Sequence, residues 1–213
     1  MKYGDYPVLL DEVILNCEEM LFYQYLPIKL PEQKHAIYEK RLHSFRPLID
    51  YVINDFKNSF GYEEYINSYV YLTAKKLFQT PNNSFNRSGY HSDGFLTDDI
   101  NYIWSDKFPT IFNIGEFNLT LDDFLSMSEM ESQAKKENEV VFYNNQVIRL
   151  NQYNIHKVGE ITENSLRTFA KLSFSKDKYD LEGNSHNYLI DYKWDLKKRK
   201  EARNIPQSNL VFK

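Results

Sequence analysis

Apolar residues recur at helical spacing from Leu9 to Met20, at Leu10, Val13, Ile14 and Cys17. A longer pattern follows from Glu32 to Phe60, at Ile37, Leu42, Phe45, Leu48, Ile49, Val52, Ile53 and Phe56. Both patterns predict amphipathic helices, so residues 1–60 are expected to form a helical layer over another part of the fold. Pro31 and Pro47 interrupt the second stretch. A proline lacks a backbone donor and clashes with the preceding turn, so two helices or one kinked helix are expected there.

After Gly61 the texture changes to short β-rich runs: Tyr69 to Gln79, Tyr90 to Phe95, Ile100 to Trp104, Phe108 to Phe117, Val140 to Tyr143, Val147 to Leu150, Ile155 to Val158, Leu166 to Phe174 and Tyr188 to Trp194. Turn residues separate them, including Pro81-Asn82-Asn83-Ser84, Ser88-Gly89 and Glu182-Gly183-Asn184. Many short strands joined by turns predict a barrel or a sandwich. Asn144-Asn145, flanked by Phe142-Tyr143 and Val147-Ile148, reads as a hairpin. Residues 118–138 break the rhythm with a polar, acidic, helix-compatible insertion, either a lid over a pocket or an ordinary solvated helix. Residues 197–213 form a basic tail that opens Lys197-Lys198-Arg199-Lys200 and includes Arg203, either solvated surface or a contact for a polyanion. One domain over residues 1–213 is expected, with its core in 61–196.

The chain has 213 residues, of which 42% are hydrophobic and 16% aromatic. That content is far from the composition of disordered chains. The net charge of −4 provides no global attraction to nucleic acid, although a local basic groove would be hidden in the sum. Cys17 is the single cysteine, so neither an intramolecular disulfide nor a cysteine-rich zinc site can form, and a cytoplasmic location is expected. No apolar run reaches the roughly 18 residues of a membrane span, and no secretory leader pattern opens the chain. The commonest phosphate-binding glycine motifs, the nucleophile elbow and H-E-x-x-H are all absent.

Two histidines and a carboxylate on one face can hold Fe(II) while leaving coordination positions open. His91 and Asp93 are two apart in a β-rich segment, where residues i and i+2 point the same way. His156 follows Asp93 after 62 intervening residues, on a short strand that could pair beside the first. Arg167 lies 11 residues beyond His156, at the head of an alternating strand that would turn its guanidinium inward. Each residue also has a plainer reading, since single histidines in β-rich chains are usually hydrogen-bonded structural groups. His35 and His43 are read that way, while His186 is the reserve candidate for the distal ligand. Cys17 is read as core, and Arg87 and Tyr90 as loop and wall residues or substrate contacts.

The ordered set His91-Ser92-Asp93, His156 and Arg167 resembles the Fe(II)- and 2-oxoglutarate-dependent oxygenases over roughly Tyr69 to Trp194. The resemblance implies a mainly β double-stranded β-helix, the cupin-like jelly roll, flanked by the helical layer. It implies His91, Asp93 and His156 as ligands of the catalytic iron, and Arg167 as the partner of the distal carboxylate of 2-oxoglutarate. A guanidinium suits that task through its two parallel donors. Lys171, four residues on along the same face, is the competing anchor. Where the family has Arg-x-Ser, this chain has Arg167-Thr168-Phe169, with Ser173 the nearest serine on that face. The implied reaction consumes O2 and 2-oxoglutarate, releases succinate and CO2, and by default hydroxylates a C–H bond. A small-molecule substrate is expected, with nucleobases, nucleic acid and protein side chains left open and no membrane partner. The competing readings are a jelly-roll scaffold and a cupin-type metal protein that does not use 2-oxoglutarate. The aromatic runs Tyr69 to Thr73 and Tyr102 to Trp104 are read as core, with a ring-stacking pocket as the alternative.

Overall fold

Two eleven-residue strands rich in aromatic and aliphatic residues, β3 (Tyr69–Gln79) and β9 (Ser165–Ser175), pair antiparallel along their whole length in the computed structural model. Residues 2–81 and 83–199 are described. β4 (Ile100–Ser105) pairs with the other edge of β9, and β7 (Gln146–Leu150) with β4. The edges are β1 (Val8–Glu12) on β7 and β2 (Leu21–Lys29) on β3, so the sheet order is β1-β7-β4-β9-β3-β2. A smaller antiparallel sheet has the order β6-β5-β8, built from β5 (Ile111–Asn113), β6 (Glu139–Val141) and β8 (His156–Lys157). The chain is thus mainly β, as expected, with few helices.

The central strands alternate between two buried environments, as a pleat of period two requires. Val70, Leu72, Ala74, Ala170, Leu172 and Phe174 share a core with α1 (Arg46–Phe60), whose Leu48, Ile49, Val52, Ile53 and Phe56 form the buried stripe. Phe56 stacks on Phe174 with ring centres 3.9 Å apart. The opposite face presents Thr73, Lys75, Asn101, Ile103, Arg167, Phe169 and Lys171 to a cavity that β8 also lines. Polar residues on an inward face mark that side as the one built for chemistry.

The helical layer is smaller than expected. Residues 9–20 contain no helix, because β1 completes one edge of the large sheet and the chain then runs extended. The helical spacing of Leu10, Val13 and Cys17 is met by packing along the rim of the α1 core, and Ile14 is left exposed. Within 32–60 only a 3-10 turn (Lys40–Phe45) and α1 are helical, and the short α2 (Tyr62–Ile66) follows. Pro47 lies in the first turn of α1, where a missing N–H costs nothing, and it therefore starts the helix instead of kinking it. Gly61, at φ 96°, ends α1 in a conformation that other residues rarely adopt.

Three strand expectations are corrected as well. Asn144-Asn145 is not a hairpin: β6 belongs to the small sheet and β7 to the large one, so this turn carries the chain between sheets. Tyr90 to Phe95 contributes a single bridge at His91. Tyr188 to Trp194 has no ladder. Its rings instead pack on one another, and Trp194 meets Tyr69 and Tyr71 edge-on, while Asn187 donates to the carbonyls of Pro27 and Ile37. Among the described residues no helix is long and apolar enough to cross a membrane.

Lys29 is fully buried, donating to the carbonyls of Leu30, Ile66 and Ser68. Burial, with Lys176 and Lys57 nearby, lowers its pKa to about 8. The unfolded chain therefore holds that proton over a range in which the folded chain has lost it. Stability should accordingly rise between pH 8 and 10.5, and Lys29→Met should flatten that rise in urea titrations; an unchanged slope would refute the assignment. Phe174→Ala should cost about 3–5 kcal/mol by urea denaturation, as for other buried aromatic truncations. A loss below about 1 kcal/mol would mean that the stack does not hold α1 to the sheet.

Candidate metal centre

His91 and His156 are directly opposed across an antiparallel bridge, each backbone N–H donating to the other's carbonyl at 2.9 Å. Side chains of opposed residues emerge on the same face, and the two imidazoles lie with ring centres 4.7 Å apart. Asp93, two residues on from His91, turns its carboxylate to the same point. One ligand atom from each of the three lies within 4.8 Å of the others, within reach of a single ion. Gly94 follows at φ 72°, and a Cβ there would meet Thr97 Oγ1 at 2.8 Å, so the tight turn after Asp93 requires glycine.

Both rings are oriented by the same device. His91 Nδ1 bonds the carbonyl of Gly89 at 3.0 Å and His156 Nδ1 that of Asn154 at 2.9 Å. A carbonyl only accepts, so Nδ1 carries the proton in each ring and Nε2 is left for a ligand. Burial lowers the His91 pKa to about 3, with His156 adding to the effect, and keeps that ring neutral as ligation demands. Asp93 divides its oxygens. Oδ2 lies 3.6 Å from His156 Nε2, and Oδ1 accepts from Lys171 Nζ at 3.0 Å. Burial alone would raise the Asp93 pKa, but Lys171, His156 and His91 outweigh it and hold the carboxyl well below the usual range.

Lys171 is held in turn by Tyr25, whose hydroxyl is 3.2 Å from Nζ. Tyr25 reaches inward because β2 bulges between Tyr23 and Leu26 and gives this residue a φ of 48°. Lys171 is therefore engaged with the carboxylate of the triad. Arg167, nearer the start of β9, is 1% exposed. Its Nε donates to Lys107 O at 2.7 Å and its Nη2 to Phe108 O at 2.9 Å, while Nη1 is buried without a partner. Burial lowers its pKa to about 10, which still leaves it charged. A buried open guanidinium donor on the cavity wall fits a carboxylate, and the His-His-Asp donor set fits Fe(II).

The cavity measures about 760 Å³ and contains the triad, Arg167 and Lys171 on its walls. Arg87 lines it, whereas Tyr90 is turned away and donates to Glu139. His186 packs against Tyr188 and Tyr192, apart from the triad. The 118–138 insertion forms α3 (Leu125–Gln133), with Met130 packed in a cluster with Tyr90 and Glu131 accepting from the Tyr90 N–H. It supports the His91 segment from behind and lines none of the cavity, so the lid alternative is set aside. Tyr71, Tyr102 and Trp104 are core residues. Lys200 and Arg203 lie outside the described residues. Tyr25, Lys75 and Asn101 were not legible as cavity residues. Alternation along β3 and β4 could have suggested the last two, but nothing local signals the bulge at Tyr25. No family model matches this chain, and no match is found among curated proteins.

Removing the Asp93 carboxylate strands the Lys171 ammonium in a buried site. Asp93→Ala should destabilise the fold by about 3 kcal/mol in urea, and adding Lys171→Met should restore most of the loss. Equal stability of the wild type and Asp93→Ala would rule out a stabilising pair.

Proposed function

We propose that this protein is an Fe(II)- and 2-oxoglutarate-dependent oxygenase on a jelly-roll core. The observation that carries this reading is the combination of three convergent ligands, both Nε2 atoms freed by Nδ1–carbonyl bonds, with an open buried Arg167 donor in the same cavity. Strand order supports the double-stranded β-helix. β3, β4, β7 and β9 lie in one sheet, and the His91 bridge, β5, β6 and β8 in the other, so the chain repeatedly crosses between layers.

In this reading His91, Asp93 and His156 hold the iron, and Arg167 pairs with the distal carboxylate of 2-oxoglutarate. Iron with its co-substrate supplies O2 activation, with one oxygen atom leaving in succinate and the other in the hydroxylated product, as CO2 departs. The chain's own residues do the positioning. Lys171 fixes Asp93 through Oδ1, which leaves Oδ2, beside His156, as the oxygen that would serve a bound ion. Tyr25 steadies Lys171 and limits its swing into the cavity. Ile103 and Phe169 make an apolar wall that limits water near the reacting carbon.

Anaerobic titration of the metal-free protein with Fe(II) and then 2-oxoglutarate tests the proposal. A weak visible charge-transfer band is expected, absent in His91→Ala and weakened at least about tenfold in 2-oxoglutarate affinity by Arg167→Ala. Loss of a ligand should cost more than the 10- to 100-fold typical of residues that merely orient ligands. Metal binding without the band would reduce the reading to a cupin-type metal site, and no metal binding by a folded protein would end it.

A further inference from the structure

The chain carries a net charge of −4, yet eight lysines and arginines line the cavity against three carboxylates. Those carboxylates are already engaged: Asp93 with Lys171, Asp180 with Lys197, and Asp99 with the hydroxyl of Tyr179. Arg167 is assigned above to the co-substrate. Of three further cations, Lys75 and Arg199 form no ion pair among the described residues, and Lys178 has near it only Asp180, which Lys197 already holds. Lys75 Nζ donates only to Phe85 O and Asn86 Oδ1, both at 3.0 Å, and Arg199 reaches Glu182 O and Asn184 Oδ1. Burial, with Lys171 and Arg167 near, lowers the Lys75 pKa to about 8.

Aromatic rings accompany these cations. Phe22 and Phe85 line the same cavity and are 52% and 50% exposed. Lys75 ties them together, with Nζ 5.2 Å from the Phe22 ring centre while bonding the Phe85 carbonyl. Phe85 adopts φ 51°, a left-handed conformation that costs a bulky residue energy and is retained chiefly where a site needs it. Deeper in, Asn101 Oδ1 accepts from Ser173 Oγ at 2.6 Å, leaving Nδ2 buried and unpartnered. That amide is a buried donor without a partner among the described residues, on a residue of the cavity wall.

Unpaired cations read phosphate, exposed rings stack planar bases, and a lone buried amide donor reads a base edge. From these we propose that the substrate is a nucleotide, free or as a unit of a single strand, with its base between Phe22 and Phe85 and its phosphate on Lys178, Arg199 and Lys75. A sugar phosphate would leave the rings and Asn101 unused, and a base stacked in a duplex could not reach them. The cavity volume lies within the roughly 300–1,000 Å³ of ligand pockets, enough for the co-substrate and one nucleotide. This inference names the substrate of the oxygenase proposed above and rests on that reading for its chemistry, though not for its binding test.

The test uses the full chain, metal-free, with the four deoxynucleoside 5′-monophosphates by calorimetry and a fluorescein-labelled single-stranded octanucleotide by anisotropy. Ribose 5-phosphate, inorganic phosphate and a phosphotyrosine peptide are the comparisons. Nucleotide binding should weaken with salt, fall about tenfold or more in Lys178→Ala/Arg199→Ala, and fall about tenfold in Phe85→Ala while Phe85→Tyr retains it. Strand binding well above that of the monomers would assign the polymer, and equal affinities the free nucleotide. No nucleotide binding, ribose 5-phosphate binding equally well, tighter capture of the phosphopeptide, or indifference to Phe85→Ala in a folded protein would each overturn the proposal. His91→Ala should still bind nucleotide, since the mouth and not the metal carries recognition; loss there would also overturn it. The iron and 2-oxoglutarate band without nucleotide binding would sink this inference alone, and the reverse result would sink the oxygenase reading alone.

Discussion

Two backbone hydrogen bonds, exchanged between His91 and His156, are the constraint on which the site depends. They join segments 65 residues apart in sequence and put two imidazoles on one face without any contribution from the side chains. Everything around them serves that pairing. β5 holds β8 in place from the far side, α3 supports Tyr90 from behind, and Gly94 lets the chain turn sharply enough for Asp93 to return to the rings. Long-range antiparallel pairing of this kind is slow to form, because the loop must close before the contacts stabilise it. It is also unambiguous once formed, since a slip of one residue would put the two rings on opposite faces.

The second organising feature is the double burial of β9. Ala170, Leu172 and Phe174 belong to the core under α1, while Arg167, Phe169 and Lys171 belong to the cavity. The apolar half fixes the strand rigidly, and that rigidity lets the other half hold buried charge at defined positions. Lys171 is compensated by Asp93, whereas Arg167 is satisfied by two carbonyls and retains an open donor. Buried charge with incomplete compensation costs stability and is retained where something else completes it. The cavity repeats this arrangement with Lys75, whose hydrogen bonds among the described residues go to neutral oxygens.

Much of the fold was legible along the chain. The run Tyr69 to Gln79 coincides with β3, and the runs at Ile100, Val147 and Leu166 match β4, β7 and β9 to within a residue or two. Those segments are buried on one or both faces, so their composition carries the signal. The misread segments share a different cause. Leu9 to Met20 owes its shape to a vacant sheet edge, Tyr188 to Trp194 to ring packing, and Asn144-Asn145 to two sheets that diverge. None of these causes lies within the segment itself.

The sequence by itself determined that His91 and Asp93 could share a face, because spacing of two along an extended chain sets which side chains point the same way, and it offered His156 and Arg167 as distant candidates. It also determined which segments would be strands at the centre of the sheet, because apolar alternation is a local property. Tertiary structure alone decided that the two histidines meet and that Lys171 is engaged by Asp93 on the cavity wall. It also decided that Tyr25 enters through a bulge and that Lys75 and Arg199 face the cavity without an ion pair among the described residues. Those outcomes depend on strand pairing and on shared burial between residues far apart in the chain, and such interactions leave no local pattern to read.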